Sequence, residues 1–182
     1  MKRLALATLV VAFASAATAA PASATVNFDG LCDIDGKSWF GKPLQPVAQD
    51  MDWGFDSNPG GGTCTGFLNG ELVVEEPVDV TVDAHGPISC GVAGYSIRAD
   101  FQAVFPGITS GDNTLSGKLT LAAVAAQNAL VVEGNEGGQA TGRASFFGQN
   151  DQVAVIQGCL DGNTIRELNV NVTVKTVTPL RG

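Results

Sequence analysis

The stretch "RELNVNVTVKTV", Arg166–Val177, decides the fold class. Leucine or valine occupies every even position from 168 to 174, and asparagine, threonine or lysine occupies every odd position from 169 to 175. A period of two is typical of a β-strand with one buried face and one wet face. This alternation predicts that Val172 faces the core and that Thr173 faces water.

The same alternation recurs through most of the chain, with glycine-, asparagine- and aspartate-rich turn signals between the runs. Three long alternating runs and three shorter apolar segments have the length of strands. With the C-terminal stretch, these segments predict roughly eight or nine strands. The runs are "VDVTVDA", "YSIRADFQAVF" and "TLSGKLTLAAV", and the shorter segments are "NALVVEG", "ATGRASFFG" and "QVAVIQGCL".

Consecutive short strands joined by short loops indicate antiparallel pairing. The favoured architecture is an antiparallel β-sandwich of roughly eight or nine strands, because a disulfide between two sheets suits it. A closed eight-stranded β-barrel is the alternative. The fold class in both cases is all-β.

The first 24 residues have the pattern of a secretory signal peptide. Lys2 and Arg3 precede a short alanine-rich apolar run, and Ala22-Ser23-Ala24 supplies the small residues that signal peptidase recognises. We expect cleavage near Ala24, a secreted protein, and one all-β domain over residues 25–182. No later apolar run reaches the length of a membrane span, so membrane insertion is not expected.

Charge excludes one class of partner. Without Lys2 and Arg3, 8 basic residues face 18 acidic ones, a formal net charge of −10. The phosphates of nucleic acid would repel such a chain, and no basic cluster opposes the trend.

The four cysteines predict two disulfides. An even count in an exported chain is typical of disulfide pairing, and no pair has the C-x-x-C spacing of structural zinc sites. We predict Cys32–Cys64 and Cys90–Cys159, because the first bond would hold an N-terminal segment that has weak strand patterning.

That segment, residues 25–66, is predicted to be loop-rich and stapled by its disulfide. Both tryptophans of the chain, Trp39 and Trp53, lie in it together with Phe55. Binding residues concentrate on loops. Exposed aromatic rings could stack on sugars, so Trp39, Trp53 and Phe55 are the candidate ligand-binding residues of a carbohydrate-binding module. Packing of the same rings beneath the loop is the alternative.

Within Gln49–Cys64, the side chains of Asp50, Asp52, Asp56 and Asn58 place four oxygen donors within nine residues. Calcium prefers such oxygens, so these residues are a candidate calcium site. Their spacing does not match an EF-hand loop. A plain surface loop without metal is the favoured interpretation.

Catalytic signatures are weak, which favours a non-catalytic protein without settling the question. His85 is the sole histidine and stands beside a glycine-proline turn, and the chain contains no G-x-S-x-G sequence. We predict a structural or interaction role, with an extracellular polysaccharide or protein as partner. The carbohydrate-binding module is the alternative, followed by a small glycoside hydrolase or a β-barrel that binds a ligand.

Overall fold

The computed structural model describes residues 25–90, 95–109, 112–124, 127–146 and 152–182. The predicted signal peptide, residues 1–24, lies outside this range. The described elements are nine strands and one helix, in the order β1 (Asn27–Phe40), β2 (Gln49–Leu68), β3 (Glu71–Pro77), β4 (Asp79–Ile88), β5 (Tyr95–Val104), β6 (Thr114–Val124), β7 (Gln127–Gly134), β8 (Gly137–Phe146), α1 (Gln152–Leu160) and β9 (Glu167–Arg181).

Eight of the strands form a closed antiparallel barrel. The strand order is β1-β9-β8-β7-β6-β5-β4-β2-β3, and a further pairing between β1 and β2 closes the ring. β3 is the extra strand, and it pairs with the second half of β2. The all-β prediction and its barrel alternative are confirmed, whereas the favoured sandwich is wrong. β1 pairs with both β9 and β2, so the sheet has no break at which two separate layers could form.

Side-chain alternation places the apolar face of each strand inside the barrel. In β9, Leu168 and Val170 are buried, and Val172 and Val174 pack against the same core. The predicted register of this strand is therefore correct. Its register with β1 shifts once, between Phe28 and Leu31. The shift is an even number of residues, so the same face of β9 stays inward.

β1 and β2 occupy most of the segment that was predicted to be loop-rich. Only residues 41–48 lie between the two strands. β2 carries extra residues: Ile34 pairs with Gly62, but Gly36, only two residues further along β1, pairs with Ser57. This β-bulge moves the inward face of β2 from odd positions, such as Met51 and Trp53, to even positions, such as Cys64. The change of face breaks the period-two signal in the middle of the strand.

Glycine gives aromatic rings room against the backbone of these two strands. A Cβ atom added to Gly54 would lie 2.6 Å from Cζ2 of Trp39, and one added to Gly36 would lie 2.6 Å from Cζ of Phe55. Both distances are far below van der Waals contact. An aromatic ring thus covers the glycine of the neighbouring strand, as in other sheets that curve at glycine positions.

Both disulfides have the predicted pairing. Cys32 and Cys64 face each other on β1 and β2, so this bond joins neighbouring strands of the ring. Cys90–Cys159 ties the chain just after β4 to α1.

The helix α1 contradicts one predicted strand, "QVAVIQGCL". Val155 and Cys159 are buried and stand four residues apart, which places them on one face of a helix. A short apolar run is compatible with either structure, and here the helical face is the one that packs. No helix among the described residues is both long and apolar enough to cross a membrane.

Candidate functional site

The interior of the barrel contains an apolar cavity of about 130 Å³. Every one of the eight barrel strands contributes side chains to its wall, and the described residues that line it include no charged group. Among the described lining residues, Ser38 and Thr176 alone carry hydroxyl groups. The Thr176 hydroxyl already donates to the Asp29 carboxylate (2.6 Å) and accepts a bond from the Gly30 amide (2.9 Å). The chamber is therefore almost wholly hydrocarbon.

A second cavity of about 70 Å³ adjoins the first, at the barrel end where β1 finishes and β9 begins. Ser38, Trp53, Leu121, Ala144 and Val170 line both cavities, so the two share a wall. The smaller cavity also reaches the amide side chain of Asn128, and polar atoms form a larger share of its wall. The main cavity is therefore lined by hydrocarbon, and the smaller cavity is lined by both hydrocarbon and polar groups.

Small inward-facing side chains make this space. Ala103 on β5 and Ala144 on β8 line the main cavity at positions where other strands place valine, leucine or phenylalanine. Alanine leaves several carbon atoms' worth of volume unfilled at each position, since close packing otherwise fills a core. Alanine at the inward positions of strands that alternate clearly between apolar and polar residues is the sequence signal from which a cavity could have been predicted. The prediction from sequence did not use this signal.

The three predicted ligand-binding residues are divided between the two faces of the barrel. Trp53 and Phe55 are buried, each only 5% exposed, and both line the main cavity. Trp39 is half-buried, and its ring lies over Gly54 on the opposite face of the sheet. The structure therefore brings Trp53 and Phe55 together inside the barrel, and a shared exposed platform with Trp39 does not form.

The indole nitrogen of Trp53 is an exception in this core. Its Nε1 atom is buried and has no hydrogen-bond acceptor among the described residues. A buried N–H without a partner costs about 1–3 kcal/mol, and tryptophan N–H groups usually find an acceptor when buried. Trp53 lies in the wall that both cavities share.

The predicted calcium residues lie on a strand. Asp50, Asp52 and Asp56 are exposed on the outer face of β2, since Trp53 and Phe55 between them point inward. At about 3.4 Å per residue, Asp52 and Asp56 stand about 14 Å apart along the strand. A calcium ion holds its oxygens at about 2.3–2.6 Å and cannot span that distance.

The side chain of Asn58, the fourth predicted ligand, lies outside the described part of the structure. Among the residues that are described, no group of three or more His, Cys, Asp or Glu side chains could hold a metal ion. A calcium site stays a prediction, and the geometry of β2 lends it no support.

His85, the sole histidine, forms a pair with Asp52 across β4 and β2. Its Nδ1 atom lies 2.7 Å from Oδ1 of Asp52, and both side chains are mostly exposed. The pair lies on the outer face of the barrel, whereas the cavities lie inside it. The two features therefore do not combine into one site.

Comparison of the chain with protein-family models, with curated proteins and with solved structures gave no match.

Proposed function

We propose that this protein is an exported, non-catalytic β-barrel that holds a small apolar molecule in its interior. The observation that carries the proposal is the uncharged cavity of about 130 Å³ lined by all eight barrel strands. Binding sites for small molecules are commonly concave, apolar and preformed, and an eight-stranded barrel is just wide enough for one small ligand.

The volume sets the size of the guest. Sites for drug-sized ligands measure about 300–1,000 Å³, well above the 130 Å³ of this chamber. An engineered apolar cavity of about 150 Å³ in another protein stays dry and binds benzene. A guest the size of one aromatic ring, or of a short branched alkyl group, matches the chamber seen here.

Export is supported by two features. The predicted signal peptide would direct the chain out of the cytoplasm, and the paired cysteines suit an oxidising compartment. A carbohydrate-binding role is less well supported, because Trp53 and Phe55 are buried and cannot stack on a sugar at the surface.

The test uses toluene as the probe and a matched pair of variants. Ala103 lines the cavity, so Ala103→Leu fills it, whereas Ala129 on β7 is exposed, so Ala129→Leu adds the same atoms outside. We expect toluene to bind the wild type and Ala129→Leu with a Kd on the order of 1 mM, because one ring buries little apolar area. Binding to Ala103→Leu should be lost.

Ligand-observed NMR and the rise in melting temperature with toluene both report this binding, since a ligand of the folded state stabilises it. Toluene that binds Ala103→Leu as well as it binds the wild type lies on the outer surface, and that result would overturn the proposal. Absence of toluene binding to the wild type would do the same.

A further inference from the structure

The strand β3 forms an open edge of the sheet, and its outward side chains are apolar. Among the described strands, β3 pairs only with β2 and stands last in the sheet order. Leu72 is 66% exposed and Val74 is 68% exposed, whereas Val73 between them packs against the core. An exposed apolar edge strand is a template on which another chain can pair.

Leu72 and Val74 belong to a larger apolar patch on the outer face, the β3 patch, which also contains Phe67 and Leu31. Phe67 on β2 lies directly opposite Leu72. Leu31 on β1 pairs with Thr65, so it lies diagonally across from Phe67, within reach of an aromatic ring. Eight large apolar side chains are exposed among the described residues, and four of them lie in this patch. Such a concentration marks an interaction surface.

The hairpin between β2 and β3 determines which backbone groups face the open edge. Asn69 and Gly70 have positive φ angles of 53° and 85° and form a two-residue turn. The turn closes on the pair of Leu68 and Glu71, which bond to each other. Antiparallel pairing alternates bonded and non-bonded pairs. Leu72, the next residue, therefore directs its N–H and C=O groups away from β2 and towards the open edge.

Charge determines which kind of strand suits this edge. Glu71 and Glu75 are exposed on β3, and Asp29 is exposed opposite Phe67 at the margin of the patch. Lys175 is also exposed near the patch, but it lies on β9, on the side away from the open edge. A second copy would bring the same glutamates of two acidic chains together, and like charges across a contact cost free energy. A partner with basic side chains has the complementary charge.

We propose that β3 binds an extended segment of a partner protein in which basic and apolar residues alternate. The segment adds a strand to the open edge, so its backbone bonds to Leu72 and its apolar side chains continue the β3 patch beside Leu72 and Val74. Its basic side chains then fall on the opposite face, which is the face of Glu71. This docking is independent of the barrel interior, so it holds whether or not the cavity binds a guest.

The probe is a peptide that alternates lysine and valine, is blocked at both ends and has the seven-residue length of β3. It is titrated into residues 25–182, and the backbone amide NMR signals give the Kd. We expect a Kd on the order of 0.1–1 mM, because ordering a short flexible segment offsets much of its binding energy. Amide exchange at Leu72 should slow by about threefold or more, while exchange at Val73, whose amide faces β2, should not change.

Matched variants separate the apolar contribution from the charge. Leu72→Thr with Val74→Thr removes the apolar side chains of the edge, and Val47→Thr makes the same change at a 76% exposed valine in the segment before β2. We expect the double variant to bind the peptide about tenfold more weakly, because apolar area is no longer buried, and Val47→Thr to bind it normally. Glu71→Lys with Glu75→Lys should weaken binding of the lysine peptide and strengthen binding of the same peptide with glutamate for lysine.

Three results would overturn the proposal. One is the absence of peptide binding to the wild type. Another is equal binding to the wild type and to Leu72→Thr with Val74→Thr, or amide signals that change away from β3, since either shows only general attraction to an acidic surface. The third is a dimer of the chain in sedimentation that the same double substitution abolishes, because the occupant of the edge would then be a second copy.

Discussion

β9 and β2 are both neighbours of the same strand, β1, yet their sequences look unlike each other. β9 keeps one face inward along its length, and each inward position carries an apolar side chain as far as Val174. β2 changes its inward face at the bulge opposite Ile34 and Gly36. The difference shows that period-two patterning reveals a strand only where the same alternate positions stay inward along its length.

The largest expected effect tests β9, the strand that keeps one face inward. Val172 lines the cavity, so Val172→Asp would place an unpaired carboxylate in an apolar interior and should destabilise the fold by about 3 kcal/mol or more. Thr173→Asn, one position along and on the other face, should stay within about 0.5 kcal/mol. Urea or thermal unfolding of both variants measures the contrast, and equal losses would show that β9 does not have this register.

A smaller effect tests β2, the strand that changes its inward face. An alanine Cβ at Gly54 would lie 2.5 Å from the Val82 carbonyl oxygen and 2.6 Å from the Trp39 ring, so Gly54→Ala should cost about 2 kcal/mol through overpacking. Gly86 on β4 is the matched control, since its added Cβ would meet only Ile97, at 3.8 Å. Gly86→Ala should change the free energy of unfolding by no more than about 0.5 kcal/mol.

If Gly54→Ala is as stable as Gly86→Ala, the ring of Trp39 does not rest on the Gly54 backbone in solution. A loss confined to Gly54→Ala would support the structural explanation for the glycine content of β2.

The same contrast explains how much of the fold could be predicted. The all-β class, the register of β9 and the number of disulfides follow from local pattern and cysteine count, which need no knowledge of the whole sheet. The pairing of the cysteines was also predicted correctly, but on the expectation of a loop where the structure has β1 and β2. Closure into a barrel depends on β1 pairing with both β9 and β2, and no local pattern encodes a pairing across more than one hundred residues such as Leu31 with Lys175. The sandwich and the barrel therefore could not be separated from sequence.

The candidate site was harder to predict than the fold. Trp53 and Phe55 were selected as candidate ligand residues on the expectation that they lay on an exposed loop. "MDWGFD" in fact alternates inward Met51, Trp53 and Phe55 with outward acids and glycine. The following "SNPGGG" resembles a turn, and in the structure it lies within β2 where the strand bulges. A continuous strand therefore looked like a loop, and its buried rings looked like surface rings.

The smallest expected effect concerns the acids of that stretch. Had it been a loop, the carboxylates of Asp50, Asp52 and Asp56 could have converged on one calcium ion. On an extended strand they are held apart, and Oδ1 of Asp52 already lies 2.7 Å from Nδ1 of His85. Millimolar calcium should therefore leave the melting temperature unchanged relative to chelator, both in the wild type and in Asp52→Asn. Ligand binding to the folded state must raise stability, so a calcium-dependent rise of several degrees that disappears in Asp52→Asn would contradict this expectation. Such a rise would also mean that β2 is not extended at Asp52, so that this part of β2 would be a loop and not a strand like β9.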